Sequence, residues 1–308
     1  MQKRVRTTKQ LWLSIKKNYM LYLFILPSLV YLFIFNYAPL YGIQIAFKNF
    51  SAGLGIWSSP FVGFQHFQRF FQSYHFWALL RNTITLSLYG LIAGFPIPII
   101  LALLLNYSPS TGFKKVVQTT TYAPHFISTV VMVGILMVFL SPRNGVLNQF
   151  IKLFGGDPVL FMGRPELFSS IYVLSGVWQE AGWGSIIYIA VLSNVDQEQH
   201  EAAIVDGANK LRRIWHIDIP AIIPTMMILL ILNVGRILSV GFEKAFLMQT
   251  DANLTASEII STYVYKIGIQ SAQYSYSTAI GLFNNVINVT ILVLVNKLAG
   301  KLTGSSVW

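Results

Sequence analysis

Few residues of this chain could do chemistry inside its long apolar segments, and Glu180 is the clearest of them. Glu180 is the one acidic residue that lies well inside such a segment, and Arg236 lies inside the next. The two charges could pair with each other or with backbone groups, or they could face water and bind a polar solute. Hydrolysis within a membrane would need paired carboxylates, a nucleophile with its base, or a metal at one depth. One carboxylate does not supply that set.

Amide and indole side chains surround these two charges in the sequence. Amides can hydrogen-bond a polar solute, and indole rings offer flat faces to a ring-shaped solute or pack against lipid. The predicted residues of a solute pathway are Trp178, Gln179, Glu180, Trp183, Asn233, Arg236 and Asn284. The five histidines are scattered along the chain and predict no metal cluster. There is no cysteine, which excludes thiol catalysis and zinc–thiolate sites.

Composition places the chain in a membrane. Of its 308 residues, 54% are hydrophobic and only 11% are charged, whereas soluble domains carry about 25% charged residues. The net charge of +11 comes from basic residues beside apolar runs, where they orient a membrane protein. We therefore predict a polytopic all-α membrane protein that does not bind nucleic acid.

Six apolar segments are predicted to span the membrane. They cover residues 19–35, 82–105, 116–140, 167–192, 221–242 and 277–298. Residues 1–18 form a basic cytosolic tail and residues 19–308 the transmembrane domain. A secretory signal peptide is the alternative for residues 19–35, but no small-x-small cleavage site follows them. Thirteen Lys and Arg lie on the side of the tail and eight in the longer opposite segments, which predicts that both termini are cytosolic.

A polar stretch, residues 195–220, separates the fourth and fifth apolar segments. Asp196 with Gln199 has the spacing of a capping box at a helix start. Gly207 can provide the positive φ that ends this helix, and a second short helix is predicted to begin near Asn209. Pro220 suits the first turn of the element that follows. The stretch predicts a helix, a sharp turn and a second helix beside the membrane.

The same stretch carries a motif. Glu201-Ala202-Ala203 is followed after two residues by Asp206-Gly207-Ala208, and later by Ile217-Asp218-Ile219-Pro220. This pattern resembles the EAA loop of binding-protein-dependent ABC importer permeases, with Ile219 in place of the usual Leu. The resemblance implies that the loop docks on a cytosolic ATPase. The implied docking residues are Glu201, Ala202, Ala203, Asp206, Gly207 and Ala208.

Further stretches resemble the maltose-type carbohydrate permeases of this family. These are Leu26-Pro27-Ser28, residues 60–67, Gly112 to Lys115, Tyr122-Ala123-Pro124 and residues 178–184. The resemblance implies a permease subunit in a bacterial cytoplasmic membrane that imports an oligosaccharide or polysaccharide fragment. It also implies a second homologous permease, two ATP-binding cassette subunits carrying ATP and Mg, and an extracytoplasmic solute-binding protein. An ABC permease for a non-sugar solute, or an ion-coupled secondary transporter, is the alternative.

Two motifs of enzymes are incomplete here. Gly300-Lys301 is followed by Leu302, so no phosphate-binding P-loop is present and no nucleotide cofactor is predicted on this chain. His200-Glu201 begins like a zinc-protease motif, but Ile204 stands where the second histidine would be. The sequence therefore predicts a transport subunit without enzyme activity or a metal, and ATP hydrolysis is assigned to a partner chain.

Overall fold

The regular secondary structure of the described residues is almost entirely helical. The structure, a computed structural model, describes residues 16–235 and 237–303, and within these ranges the only extended pairing is an isolated bridge between Lys48 and Phe61. Among the described residues, the first eight α-helices are α1 Tyr19–Leu32, α2 Gly55–Ser58, α3 Gln65–Phe71, α4 His75–Gly94, α5 Pro96–Asn106, α6 Thr111–Tyr122, α7 Thr129–Phe139 and α8 Val146–Leu153. The other eight are α9 Pro165–Leu192, α10 Gln197–Val205, α11 Lys210–Arg213, α12 Ile219–Val234, α13 Phe242–Met248, α14 Leu254–Ser257, α15 Ile260–Tyr265 and α16 Tyr274–Thr303.

Several continuous helices are long and apolar enough to cross a membrane. Four of them meet this test in the described part of the chain: Tyr19–Phe47, His75–Asn106, Lys210–Val234 and Tyr274–Lys301. A bent pair, Thr111–Phe126 with Thr129–Phe139, makes a fifth candidate. The chain is therefore a multi-pass membrane protein with an all-helical fold, as the sequence predicts.

Helix α9 is the centre of the packing. It begins with Pro165 at its first turn and Glu166 beside the positive end of the helix dipole. Its 28 residues pack against α4, α5, α6 and α12. Small residues on its buried side, Ser175, Gly182 and Ser185, allow these helices to approach closely. The fourth predicted segment, residues 167–192, lies within α9, but α9 is not among the helices that meet the test for a span.

The third predicted segment is not a straight span. Residues 116–140 were expected to form one helix, but the chain bends by 103° between Phe126 and Thr129. Ile127 is extended, with φ −77° and ψ 126°. Ser128 then caps a new helix by accepting a hydrogen bond from the Val131 N–H at 3.4 Å. We call residues 123–128 the elbow.

The fifth predicted segment is also interrupted. Residues 221–242 were expected to be helical, but α12 ends at Val234 and α13 begins at Phe242. The prediction was wrong for residues 237–241, where Ser87 and Asn288 of other helices bond to backbone groups of Ile237 and Leu238. In contrast, the first segment is longer than predicted: the helix continues through a π turn and a 3-10 turn to Phe47.

Three apolar clusters hold the helices together. One joins α3, α4, α15 and α16 around Phe70, Leu79, Ile260, Tyr263, Tyr276 and Ile280. A second joins α4, α7, α9 and α13 around Leu86, Val133, Phe168, Ala245, Met248 and Ile259. A third joins α5, α9 and α12 around Ile99, Ala102, Tyr188, Leu192 and Ile222. Helices α4 and α9 each belong to two of these three clusters and so connect them.

Candidate functional site

A cavity of about 690 Å³ lies among α4, α5, α9, the end of α12 and the start of α13. Its volume is in the usual range for a small-molecule site. The lining is mostly apolar, with a few polar side chains contributed mainly by α9. Such a surface leaves room for a polar solute and offers it a limited number of hydrogen-bonding groups.

Four of the seven predicted pathway residues line this cavity: Gln179, Glu180, Trp183 and Asn233. Trp178, on the same helix, lies outside the lining and is 53% exposed. Asn284 also lies outside it, with a buried Oδ1 that has no hydrogen-bond partner. Arg236 lies outside the described residues, so its predicted pairing with Glu180 stays a prediction.

Glu180 pairs with a residue that the sequence analysis missed. Its Oε2 lies 2.9 Å from Nδ1 of His125 in the elbow. The ring of His125 stacks on Trp183, with centroids 4.4 Å apart and planes 3° from parallel. His125 directly follows Pro124 within an apolar segment. A polar side chain next to a proline in such a segment was the feature of the sequence that could have identified it as a site residue. The three side chains form one polar and aromatic surface where the elbow meets α9.

Gln179 satisfies the backbone at the elbow. Its Nε2 donates to the Ile127 carbonyl at 2.7 Å, which is a group left without an intrahelical partner by the bend. An unsatisfied carbonyl is costly at membrane depth, so irregular backbone there needs such a donor. Gln179 and Glu180 therefore have a demonstrated structural contact in addition to their place in the cavity lining.

The opposite wall contains a non-helical segment, residues 237–241, which precedes α13. Ile237, Ser239, Val240 and Gly241 of this segment line the cavity. Asn288 of α16 holds it: Oδ1 accepts from the Leu238 N–H at 3.0 Å, and Nδ2 donates to Ser239 Oγ at 2.9 Å. Ser87 also donates to the Ile237 carbonyl. Backbone that lines a cavity and is satisfied by neighbouring helices is the form in which membrane proteins tolerate a broken span.

Lys244, near the start of α13, contributes a positive charge to the lining. Its Nζ donates to the Tyr172 carbonyl at 2.9 Å and lies 5.0 Å from the centre of the Tyr172 ring. Burial lowers the pKa of Lys244 to about 8, and the nearby Glu180 partly opposes this shift. The sequence analysis counted Lys244 only as an external charge, because its position in a cavity depends on the break after α12.

The EAA loop has the predicted helix–turn–helix geometry. Asp196 caps α10 by accepting from the Glu198 N–H at 3.0 Å. Gly207 has φ +79°. Its N–H donates to the Ile204 carbonyl, while the Ala208 N–H donates to the Ala203 carbonyl. These two bonds form a Schellman motif, which closes the end of α10.

The second half of the loop continues without interruption into a span. Asn209 caps α11 by accepting from the Arg212 N–H at 2.9 Å. The chain then passes through a π turn, Ile214–Asp218, into α12, with Pro220 in its first turn. Lys210–Val234 is thus one helical unit of 25 residues. The predicted second helix is confirmed, and it is the beginning of this longer unit.

A buried carboxylate connects the loop to two other helices. Asp218 is fully buried; its Oδ2 accepts from the Tyr107 hydroxyl at 2.6 Å, and its Oδ1 lies 3.5 Å from His200 Nε2 on α10. The His200 contact has ion-pair distance but not hydrogen-bond geometry. Burial and the hydrogen bond to Asp218 raise the pKa of Tyr107, so its hydroxyl stays protonated as a donor. Arg213 lies over the Tyr107 ring at 5.3 Å.

Replacing Tyr107 by phenylalanine is expected to destabilise this junction. The change removes the hydrogen bond to the buried Asp218 carboxylate, and hydrogen bonds to charged groups contribute about 1.5–3 kcal/mol. Thermal unfolding of the purified transporter should show a lower midpoint. The control is Tyr31→Phe, since Tyr31 lies on the exposed surface of α1. Equal midpoints for the two variants would contradict the role given to the Tyr107 hydroxyl.

The fold and the site together define a membrane permease. Apolar helices surround a partly polar cavity, and one of these helices begins in the EAA loop, which lies outside the cavity. The chain belongs to the family described as binding-protein-dependent transport system inner membrane components, whose model matches residues 94–303. It is 44% identical to Protein LplB of Bacillus subtilis, over 94% of this chain and 92% of that protein.

Two further comparisons connect the chain to saccharide transport systems. It is 43% identical to the polygalacturonan/rhamnogalacturonan transport system permease protein YteP of Bacillus subtilis, over 95% of this chain and 91% of that protein. It is similar to a chain of a bacterial alginate ABC transporter solved in complex with an alginate pentasaccharide-bound periplasmic protein. That similarity has a TM-score of 0.90 and 40% identity, and it covers 97% of this chain and 100% of the other.

Proposed function

We propose that this chain is the membrane-spanning permease subunit of an ATP-driven, binding-protein-dependent ABC importer. Its cavity is part of the path of a carbohydrate, an oligosaccharide or a polysaccharide fragment. The observation that carries this proposal is the single helical unit Lys210–Val234, which begins in the EAA loop and ends at the non-helical cavity wall. A movement of the loop is therefore passed directly to that wall. The names of the similar saccharide transporters support the substrate class.

The EAA loop is the docking site for a cytosolic ATPase in this proposal. The docking residues are Glu201, Ala202, Ala203, Asp206, Gly207 and Ala208. Apolar side chains beside them are exposed, as a surface awaiting a partner would be: Ile204, Val205, Leu211 and Trp215. Two ATP-binding cassette subunits bind ATP and Mg and carry out the hydrolysis. When they close on ATP, the loop moves with them.

Two other partners complete the importer. A second, homologous permease chain forms a heterodimer with this chain, and an extracytoplasmic binding protein delivers the saccharide. The periplasmic protein in the solved alginate complex supports this arrangement. The polar side chains Gln179, Glu180 and Asn233 hydrogen-bond sugar hydroxyls, and Trp183 offers a ring face. Trp178 and Asn284 lie outside the lining, and their place in the pathway stays a prediction.

The proposed topology has six spans with both termini in the cytosol of a bacterial cell. The six spans are the four continuous apolar helices, the bent pair counted as one span, and α9. With 28 residues, α9 is about 42 Å long. This length exceeds the hydrocarbon core of a bilayer, which is about 30 Å thick. The EAA loop then lies in the cytosol, and the segment containing α8 lies outside the membrane on the opposite side.

Single cysteines test this topology. Val205 of the EAA loop is 88% exposed, and Asp157 lies in the exposed segment after α8. A membrane-impermeant thiol reagent should label Val205→Cys only from the cytosolic side and Asp157→Cys only from outside. The parent chain has no cysteine, so it serves as the unlabelled control. Labelling from the opposite sides would overturn the proposed orientation.

The function itself is tested by reconstituting the complex of permease, partner permease, ATPase subunits and binding protein in proteoliposomes. Enclosed ATP should drive uptake of an oligosaccharide supplied with the binding protein. Uptake that needs an ion gradient and no ATP would identify a secondary transporter instead. ATP-driven uptake of amino acids or peptides, with none of any saccharide, would assign a non-sugar substrate.

A further inference from the structure

We propose that Lys244 binds a carboxylate of the transported saccharide, so that the substrates of this transporter are anionic, uronate-bearing oligosaccharides. The proposal rests on the proposed function and specifies its substrate class. It also assigns Lys244 as a residue that determines specificity, although no motif in the sequence includes this residue.

The geometry leaves the Lys244 ammonium available to a ligand. One of its three N–H groups is used by the Tyr172 carbonyl at 2.9 Å. The ion pairs of the described residues are His125–Glu180, His200–Asp218 and Lys266–Glu258, and none of them includes Lys244. Two N–H groups therefore remain at the cavity surface, and Glu180, a carboxylate of the same lining, attracts the ammonium without forming an ion pair with it.

The fold makes space for this ammonium. A Cβ on Gly176 of α9 would lie only 3.3 Å from Lys244 Nζ, so a larger residue there would crowd the charge. Tyr172 lies one turn earlier on α9. Its carbonyl accepts a hydrogen bond from Lys244, and its ring face lies next to the ammonium. Lys244 is thus fixed at one place in the lining, which a specific contact requires.

The cavity also contains a carboxylate, Glu180, and its position is compatible with an anionic ligand. Glu180 is paired with His125 in the elbow at 2.9 Å. The described charges of the lining are therefore a cation on α13 that belongs to no ion pair and an anion on α9 that is paired with His125. A uronate would place its carboxylate at Lys244 and its hydroxyls toward Glu180 and Gln179. Burial disfavours the ammonium, and the attraction of Glu180 offsets this only in part, so a carboxylate bound directly at Lys244 would relieve the remaining cost.

The first test compares carboxylated saccharides with neutral counterparts in the reconstituted transporter. The probes are trigalacturonate and trimannuronate, each paired with its carboxyl-reduced form. We expect ATP-driven uptake of at least one uronate to exceed that of its reduced form by about tenfold or more, since a charged hydrogen bond is at stake. Equal or better uptake of the neutral forms would overturn this proposal and leave carbohydrate import intact. Uptake of no saccharide would instead contradict the proposed function.

The second test changes the charge of residue 244. Lys244→Met should reduce uronate uptake about tenfold, whereas Lys244→Arg should retain most of it. Lys152→Met is the matched control, because Lys152 lies on the exposed helix α8. Co-purification of the partner subunits confirms that each variant assembles. Normal uronate uptake by an assembled Lys244→Met variant would overturn the proposal.

Because this chain has no cysteine, a single cysteine introduced at residue 244 can be modified selectively, which restores a charge at that position. Lys244→Cys should gain uronate uptake when 2-aminoethyl methanethiosulfonate adds a cation, and should gain none when the sulfonatoethyl reagent adds an anion. The unsubstituted transporter, treated in parallel, controls for cysteines on partner chains. Equal effects of the two reagents on Lys244→Cys would show that the charge at this position does not matter.

Discussion

Gly182→Ala is expected to reduce the amount of assembled transporter sharply and to lower its thermal stability. A Cβ at Gly182 would overlap the backbone carbonyl of Thr121 on α6 and would lie 2.9 Å from the Thr121 Cβ. Backbone atoms cannot move aside as a flexible side chain can, so α6 and α9 would have to separate. Overpacking costs about 1–3 kcal/mol in a well-packed core, and here the shift would extend to the elbow.

Gly134→Ala provides the matched control for this change. Gly134 lies in the middle of α7, and a Cβ there would meet nothing within 4 Å. Alanine also has the better helix propensity, so this variant should assemble normally. The yield of intact complex after size-exclusion chromatography and the midpoint of thermal unfolding measure both effects. Similar behaviour of the two variants would show that α6 and α9 are not in close contact at Gly182.

Gly207→Val is expected to leave the permease inserted in the membrane but to abolish most transport. Gly207 has φ +79°, and a β-branched residue is strongly disfavoured there, at a cost of about 1–2 kcal/mol. Nothing lies within 4 Å of a Cβ at this position, so the effect comes from the backbone conformation and not from crowding. Loss of the turn would displace Ala208 and α11 relative to α10 and prevent the loop from docking.

An asparagine variant distinguishes the effect of the backbone conformation at residue 207 from the effect of side-chain size. It has a side chain of nearly the same size as valine but adopts the left-handed conformation far more readily. Gly207→Asn should therefore retain much of the transport that Gly207→Val loses. Saccharide-stimulated ATPase activity of the reconstituted complex is the measurement, with expression level as a check. Full activity of Gly207→Val at normal expression would refute the requirement for this turn.

The EAA loop could be predicted in detail because its structure is determined locally. The caps Asp196 and Asn209 each bond an N–H two or three residues later. Gly207 adopts a conformation that depends on its own lack of a side chain. Such features can be read from neighbouring residues, and the apolar length of the other segments similarly predicted most of the long helices.

The elbow and the broken fifth span could not be predicted in this way. His125 and Glu180 are 55 positions apart, and Asn288 is 50 positions from the Leu238 amide that it holds. A hydrophobic segment looks the same in sequence whether its carbonyl groups are bonded within the helix or to a distant amide. For the same reason the sequence analysis assigned Lys244 to an external segment and did not predict the cavity.

The way in which the non-helical cavity wall is held has an evolutionary consequence. Asn288 and Ser87 bond to backbone groups of Leu238 and Ile237, so those bonds do not depend on the side chains at Ile237 and Val240. Substitutions at these two positions can reshape the cavity while the wall keeps its course. Related transporters can therefore acquire new substrates through single substitutions, and the protein stays folded and assembled after each of them.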